Sequence, residues 1–254
     1  MDNGEGPWWR ALVRPGRRLP PGTTLFGSPS GEAVARLGDR LDGGCRAVEL
    51  LCDPWVYGAV PLPPYIRRPL ADPERYQTVY ATRPGSIAAP TAGLHLTDAV
   101  LAACQARGVR VGRLELIVGL DTFRPITVDD PADHVIHSER YHVPAQTMEA
   151  CRAARRVVAV GTTTVRALET AAATGQLEGR TSLFIRGDYP FAVVDLLLTN
   201  FHLPRSSLLL LVEAFAGARW RELYATALDE GYRFLSFGDA MLVARSTCSG
   251  GPAE

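Results

Sequence analysis

The stretch 195–217, which opens Asp195-Leu-Leu-Leu-Thr-Asn-Phe-His-Leu-Pro-Arg-Ser-Ser, constrains the fold of this chain more than any other. An apolar run ends abruptly in Thr199, Asn200 and His202, Pro204 turns the backbone, and Ser206 or Ser207 can cap a helix running on to about Gly217. That is the signature of a buried strand with polar groups set at its exit. In parallel α/β folds ligands bind at the carboxyl ends of the strands, because the strands are buried and only the loops offer polar atoms. Thr199, Asn200 and His202 are therefore the first candidate site residues.

The flanking sequence supplies the elements such a strand needs. Residues 97–107 read as an amphipathic helix capped by Thr97, 109–118 as a strand, 144–155 as a helix, 157–160 as a buried strand and 162–173 as a helix. Residues 182–185 and 192–198 read as strands, 207–217 and 220–230 as helices, and 240–244 as a last strand. Repeated βα units predict a parallel or mixed sheet with helices outside, open or barrel-like. Ahead of this α/β domain, taken as residues 63–245, four short strands (8–14, 23–26, 33–41, 45–52) make a small antiparallel β domain over residues 1–62. Asp42-Gly-Gly between the last two is a hairpin signal, and Pro61-Leu-Pro-Pro-Tyr-Ile-Arg-Arg-Pro marks the boundary. Residues 246–254 form a polar, Gly-rich tail.

Composition excludes several classes of function. The 27 basic and 27 acidic residues cancel, so no global field draws the chain to nucleic acid or membrane. Every basic residue is Arg, spread along the chain rather than clustered. The five Cys are far apart and show no Cys-x-x-Cys pair, which points to neither zinc nor a disulfide framework. No basic, apolar leader opens the chain and the Leu-rich run at 208–212 is too short to span a bilayer, so the expected location is the cytoplasm, with no membrane contact.

Three further polar stretches carry chemistry. In Arg83-Pro-Gly-Ser-Ile-Ala-Ala-Pro-Thr-Ala-Gly-Leu-His-Leu-Thr, small residues such as Gly93 let a ligand approach the backbone, and N–H groups near a helix start suit a carboxylate or phosphate. A plain structural turn fits the same spacing, and His95 taken singly fits a structural role as well as a catalytic one. Val157-Val-Ala-Val-Gly-Thr-Thr-Thr-Val-Arg-Ala-Leu-Glu is a buried strand, Gly161, three hydroxyls and a helix whose first turn carries Arg166. Dipole, unpaired N–H groups and guanidinium would converge on one anion there, unless the Thr residues simply cap the helix. The Gly-x-x-x-x-Gly-Lys spacing of a Walker loop is absent. Asp133-His-Val-Ile-His-Ser-Glu-Arg-Tyr-His is dense in titrating groups, but His134 and His137 match no metal template and a polar loop is expected. Glu115 lies within a predicted strand, either facing solvent or buried with a shifted pKa.

Taken together, Tyr76-Gln-Thr-Val-Tyr-Ala, Ala89-Pro-Thr-Ala-Gly-Leu-His-Leu-Thr, Val160-Gly-Thr-Thr-Thr-Val-Arg-Ala-Leu-Glu, Thr199-Asn-Phe-His-Leu-Pro-Arg-Ser and Tyr232-Arg-Phe-Leu-Ser-Phe-Gly-Asp-Ala-Met resemble the S-adenosylmethionine:tRNA ribosyltransferase-isomerases of queuosine synthesis. The resemblance runs in order from about Trp8 to Arg245. It implies that the ribosyl moiety of S-adenosylmethionine, used as a co-substrate without a metal, moves to the aminomethyl group of a 7-deazaguanine base at the tRNA wobble position. Adenine and methionine leave and epoxyqueuosine forms. The sulfonium acidifies the adjacent C5′ hydrogens, so a positioned base can act on them. His95 and His202 are then acid or base candidates and Asn200 a hydrogen-bonding partner. Thr91, Gly93, Gly161, Thr162, Thr163, Arg166 and Thr199 become cofactor-binding candidates, with the Thr162–Arg166 helix start suited to the methionine carboxylate.

The implied fold is a distorted α/β barrel-like main domain with a small antiparallel β-barrel-like domain. Against that pattern the chain begins inside what resembles the small domain, so the expectation is either an upstream start ahead of this sequence or an exposed sheet edge sealed in another way, for instance in a homo-oligomer. Ile117 stands where the family usually has His, Asp121 where it has Gly, and Ile185-Arg-Gly-Asp-Tyr where it tends toward a Pro-Gly-Tyr turn. With the even charge balance, these departures leave three readings open: the family reaction on tRNA, a different S-adenosylmethionine enzyme with a small-molecule acceptor, or a non-catalytic binding homologue.

Overall fold

A computed structural model gives the fold and describes residues 8–16, 18–27, 30–83, 85–119, 136 and 138–246. The chain divides into two compact units, Met1–Pro61 and Leu62–Glu254.

In the first unit β1 (Trp8–Leu12), β2 (Thr24–Phe26), β3 (Ala33–Arg40) and β4 (Cys45–Leu50) form one antiparallel sheet in the order β1-β4-β3-β2. The β3–β4 hairpin turns through Asp42–Gly44, where Gly44 takes a φ of 76° that a side chain would strain. A single-turn helix, α1 (Pro54–Tyr57), follows. Among the described residues Ala35, Leu37 and Val48 are the buried apolar side chains of this sheet, and Arg46 is buried as well. Its guanidinium survives burial because it donates to the carbonyls of Gly16, Leu19 and Gly38, which ties the preceding coil to the sheet.

The second unit begins its regular structure at α2 (Asp98–Ala106), where Thr97 accepts from the Val100 N–H at 3.2 Å, the cap read from the sequence. The strand expected over 109–118 shrinks to β5 (Glu115–Ile117). Residues 109–113 are exposed, and among the described residues no neighbouring strand takes up their backbone groups. Glu115 faces solvent, 3.2 Å from Arg83. β6 (Glu139–His142) was expected to be a polar loop and is instead a central strand: Glu139 and Tyr141 point inward and are buried, while Arg140 and His142 point outward. His134, His137 and Asp121 lie outside the described residues.

After α3 (Ala145–Ala153) come β7 (Val158–Val160), α4 (Thr162–Thr174) and β8 (Glu178–Thr181). β8 takes the place of the strand expected at 182–185, because residues 178–181 are the ones that pair with β6. β9 (Leu196–Asn200) starts later than the expected 192–198 for a specific reason: the Glu169 carboxylate accepts the N–H groups of Ala192, Val193 and Val194 at 2.8–3.0 Å. Those donors are unavailable to a ladder, and the strand runs on through Thr199 and Asn200. α5 (Ser207–Ala216), capped by Ser206 on the Leu209 N–H, α6 (Trp220–Asp229) and β10 (Ala240–Ala244) complete the chain.

Two sheets result, β10-β9-β7 and β5-β6-β8. Among the described residues only β7 and β9 are parallel, and every other pair is antiparallel. The architecture is mixed α/β with several mainly antiparallel sheets, and among the described residues no sheet closes into a barrel. α4 packs on both sheets of this unit, its buried face formed by Val165, Leu168 and Ala171 against Val143, Leu197 and Phe215. Each such buried Val, Leu or Phe side chain stabilises by about 1.5–3 kcal/mol. Asp195 pins the start of β9, accepting from the Val157 N–H at 2.9 Å and from Arg245 at 3.3 Å.

Candidate functional site

Parallel pairing makes β7 and β9 end side by side. Val160 pairs with Leu198, and the Gly161 N–H donates to the Leu198 carbonyl at 2.8 Å. Gly161 then turns the chain into α4 with φ 87°, which suits Gly and little else. The 3₁₀ turn Thr91–His95 lies across this exit: a Cβ on Gly161 would meet Ala92 Cβ at 3.8 Å. The sequence-predicted residues Thr91, Gly161, Thr162, Thr163, Thr199, Asn200 and His95 are thus on three segments that converge. Gly93 is buried within the turn, where a Cβ would collide with the Tyr80 hydroxyl, so packing alone demands its small size. Burial pushes that Tyr80 hydroxyl up from the usual tyrosine range.

Because successive side chains of a strand alternate, β9 sends Thr199 and Asn200 to opposite faces. On one face the Asn200 amide nitrogen donates to the Asp239 carbonyl at 3.3 Å and lies 3.0 Å from His95 Nε2. A carbonyl only accepts, so it fixes which end of the amide points that way. The same NH2 group then donates to Nε2 and leaves the neutral ring's proton on Nδ1. His95 is exposed, whereas Asn200 is 2 % exposed and its Oδ1 is buried with no hydrogen-bond partner among the described residues. Asp239 is held below the usual carboxylate range by the Arg233 N–H at 2.7 Å, then by the Arg233 guanidinium, with a smaller contribution from His95.

The other face is dry. Thr199 Oγ1 and His202 Nε2 share a hydrogen bond at 3.0 Å, and the His202 N–H donates to the Tyr224 hydroxyl at 3.0 Å. His202 is 8 % exposed, and loss of solvation lowers its pKa from 6.5 to about 4, so the ring is neutral near pH 7. Burial likewise pushes Tyr224 up to about 12. Phe201 stacks edge-on with Tyr224 and tilts against Phe234 beside them. The structure therefore separates the two candidate histidines rather than bringing them together. Backbone strain flanks this exit: Arg205 and Leu235 have φ of 58° and 72°, each costing of order 1–3 kcal/mol, and the Leu235 N–H donates to the Phe201 carbonyl at 3.0 Å.

At the start of α4 the Thr residues do not cap the helix. Gly161 is the cap residue, no side chain caps it, and Thr164 Oγ1 donates back to the Val160 carbonyl at 2.7 Å. Thr162 is buried and Thr163 half-buried. Arg166 sits beyond the first turn, not within it. Its guanidinium is ion-paired with Glu139 of β6, and its Nε donates to the Leu183 carbonyl at 3.1 Å. The expected convergence of Arg166 with the helix start is not what the structure forms, because a nearer buried carboxylate claims the charge.

Sequence reasoning missed Asp239, Glu139 and Glu169. Asp239 stood in a quoted motif but its backbone carbonyl, not its carboxylate, makes the key contact, which no residue pattern announces. Glu169 falls next to Leu168 on the apolar stripe of α4, a signal that it is a buried, bonded carboxylate. Ile117 is half-buried in β5 opposite Arg140. Among the described residues no group of three His, Cys, Asp or Glu could hold a metal ion, and no helix is long and apolar enough to cross a membrane.

A family profile described as queuosine biosynthesis protein matches residues 2–243. The chain is 49 % identical to the S-adenosylmethionine:tRNA ribosyltransferase-isomerase of Acaryochloris marina, over 92 % of this chain and 69 % of that protein. It is 50 % identical to the protein of the same name from Moorella thermoacetica, over 94 % of this chain and 74 % of that one. The crystal structure of an S-adenosylmethionine tRNA ribosyltransferase from Thermotoga maritima is similar to it with a TM-score of 0.50 and 33 % identity, over 95 % of this chain and 72 % of that one.

Proposed function

Because this chain belongs to the queuosine biosynthesis protein family, we propose that it is an S-adenosylmethionine:tRNA ribosyltransferase-isomerase. It moves the ribosyl moiety of S-adenosylmethionine to the aminomethyl group of a 7-deazaguanine base in tRNA, with release of adenine and methionine and formation of epoxyqueuosine. The relatives' shared name favours tRNA over a small-molecule acceptor or a non-catalytic role. We read the reaction as cytoplasmic, in keeping with a tRNA acceptor.

The observation that carries the assignment to this site is the His95–Asn200–Asp239 arrangement at the joint exit of β7 and β9. Asn200 engages Nε2, so His95 presents Nδ1–H to a ligand as a fixed hydrogen-bond donor, placed to stabilise the charge that develops on a leaving group such as the departing adenine. Asn200 is a positioning residue for His95, and its partnerless Oδ1 is an acceptor that a ligand donor satisfies once the turn above it shifts. The uncapped start of α4 at Gly161, Thr162 and Thr163, with Thr91 across from it, holds the methionine carboxylate on backbone N–H groups. Arg166 supports that helix through Glu139 rather than touching the carboxylate. Thr199 and His202 form the packed wall behind the site. We read the two sheets that share α4 as segments of one distorted α/β barrel.

The test is incubation with S-adenosylmethionine, with and without tRNA carrying the aminomethyl-deazaguanine base, followed by assay of free adenine and methionine. Release that requires the tRNA is the expected result. Release without it supports a small-molecule acceptor, and no release contradicts the proposal.

A further inference from the structure

The loop that gives Asp239 to the site also carries an aromatic surface that the chemistry above does not use. Tyr65 and Phe237 are large aromatic side chains left 39 % and 37 % exposed. Both are anchored from the inside. The Tyr65 hydroxyl is hydrogen-bonded to buried Ser236 at 2.6 Å, and Phe237, the next residue, meets the edge of buried Tyr76 at 5.8 Å and 63°. Two residues beyond Phe237 is Asp239, whose carbonyl holds Asn200, which in turn holds His95. Tyr65 is followed by Arg67 and Arg68, both exposed and without a carboxylate partner among the described residues. The rings are held by these inner contacts, are exposed on the outside, lie beside the reacting site and are followed or flanked by arginines with no carboxylate partner among the described residues.

We propose that Tyr65 and Phe237 stack the unpaired bases flanking the reacting base of the acceptor RNA, with Arg67 and Arg68 on the adjoining phosphates. This rests on the tRNA reading above. An RNA loop offers base faces and phosphates together, and anchored rings bind those faces with little loss of side-chain freedom. Local cations resolve the even overall charge: the chain needs no global field if the charge that matters is concentrated where the acceptor strand passes. The platform also accounts for the Phe-Leu-Ser-Phe-Gly-Asp sequence, in which Ser236 and Phe237 serve the acceptor side and Asp239 the catalytic side. Gly238 between them admits no Cβ, since one would sit 2.5 Å from the Phe234 carbonyl oxygen.

The experiment measures binding of a fluorescent anticodon stem-loop carrying the aminomethyl-deazaguanine base, by anisotropy at several salt concentrations, alongside S-adenosylmethionine binding by calorimetry. Tyr65→Ala and Phe237→Leu should each weaken RNA binding about tenfold and leave S-adenosylmethionine affinity unchanged. The double variant Arg67→Gln/Arg68→Gln should make the slope of log affinity against log salt shallower by roughly 1.4. Unchanged RNA affinity in both ring variants overturns the platform while the function stands. A wild-type protein that binds S-adenosylmethionine but neither binds this RNA nor releases adenine with it overturns the function, and the platform with it. Unaltered cofactor binding by the variants shows that they are folded.

Discussion

His95 and His202 stand on opposite sides of one strand exit, within hydrogen-bond reach of adjacent residues, and the chain treats them in opposite ways. His95 is exposed, with its tautomer set by Asn200 and a carboxylate nearby at Asp239. His202 is buried, neutral and bonded to Thr199 and Tyr224. The difference comes from strand alternation: one residue step along β9 moves a polar side chain from the open face to the packed one. Polar residues on the packed side should therefore register in stability, and those on the open side in turnover.

The largest effect expected on the packed side is at Arg166. Arg166→Ala removes the guanidinium paired with buried Glu139 and should lower the unfolding free energy by about 3–5 kcal/mol, measured by urea denaturation. The folded fraction should keep its affinity for S-adenosylmethionine within about twofold. A large loss of affinity without loss of stability would move Arg166 to the open side and break the division.

His202 gives the next effect, through pH. Its folded pKa of about 4 lies below the unfolded value of 6.5, so the folded state resists the proton that the unfolded state takes up. The contribution is present in full above about pH 6.5 and is lost as pH falls through 4, amounting to roughly 3 kcal/mol. Replacing it as His202→Gln should flatten the stability profile over that window relative to wild type, and an unchanged slope would mean the ring is not buried. A smaller effect is expected from Thr199→Val, which keeps the shape but removes the hydroxyl from the ring nitrogen. The expected loss is about 1–2 kcal/mol, with little change in turnover.

How much of this was legible in the sequence differs between the two sides. The strand exit, the Thr97 and Ser206 caps and the small β unit's strands could be read because each rests on a local signal: a cap, a turn or an apolar run. Long-range pairing could not. Glu139 looked like part of a polar loop because its partner, Arg166, is 27 residues away, and residues 192–194 looked like strand because Glu169 lies on another element. The same limit applied at the site. Thr199, Asn200 and His202 were evident as a group, but their division between two faces depends on where Asn200 ends the strand, and β9 runs two residues past the predicted end. Of the parallel or mixed sheet inferred from repeated βα units, the mixed form holds, with one parallel pair among the described residues; β6, which reverses the local order, was hidden by its polar residues.

The most direct test of the division sets His95→Gln beside His202→Gln in single-turnover adenine release from S-adenosylmethionine and the modified tRNA, at a temperature where both remain folded. His95→Gln should slow release by about 10²–10³-fold with its unfolding midpoint unchanged, and His202→Gln should release adenine at nearly the wild-type rate with a lowered midpoint. Equal slowing of both, or a slow His202 variant beside an active His95 variant, would contradict the account.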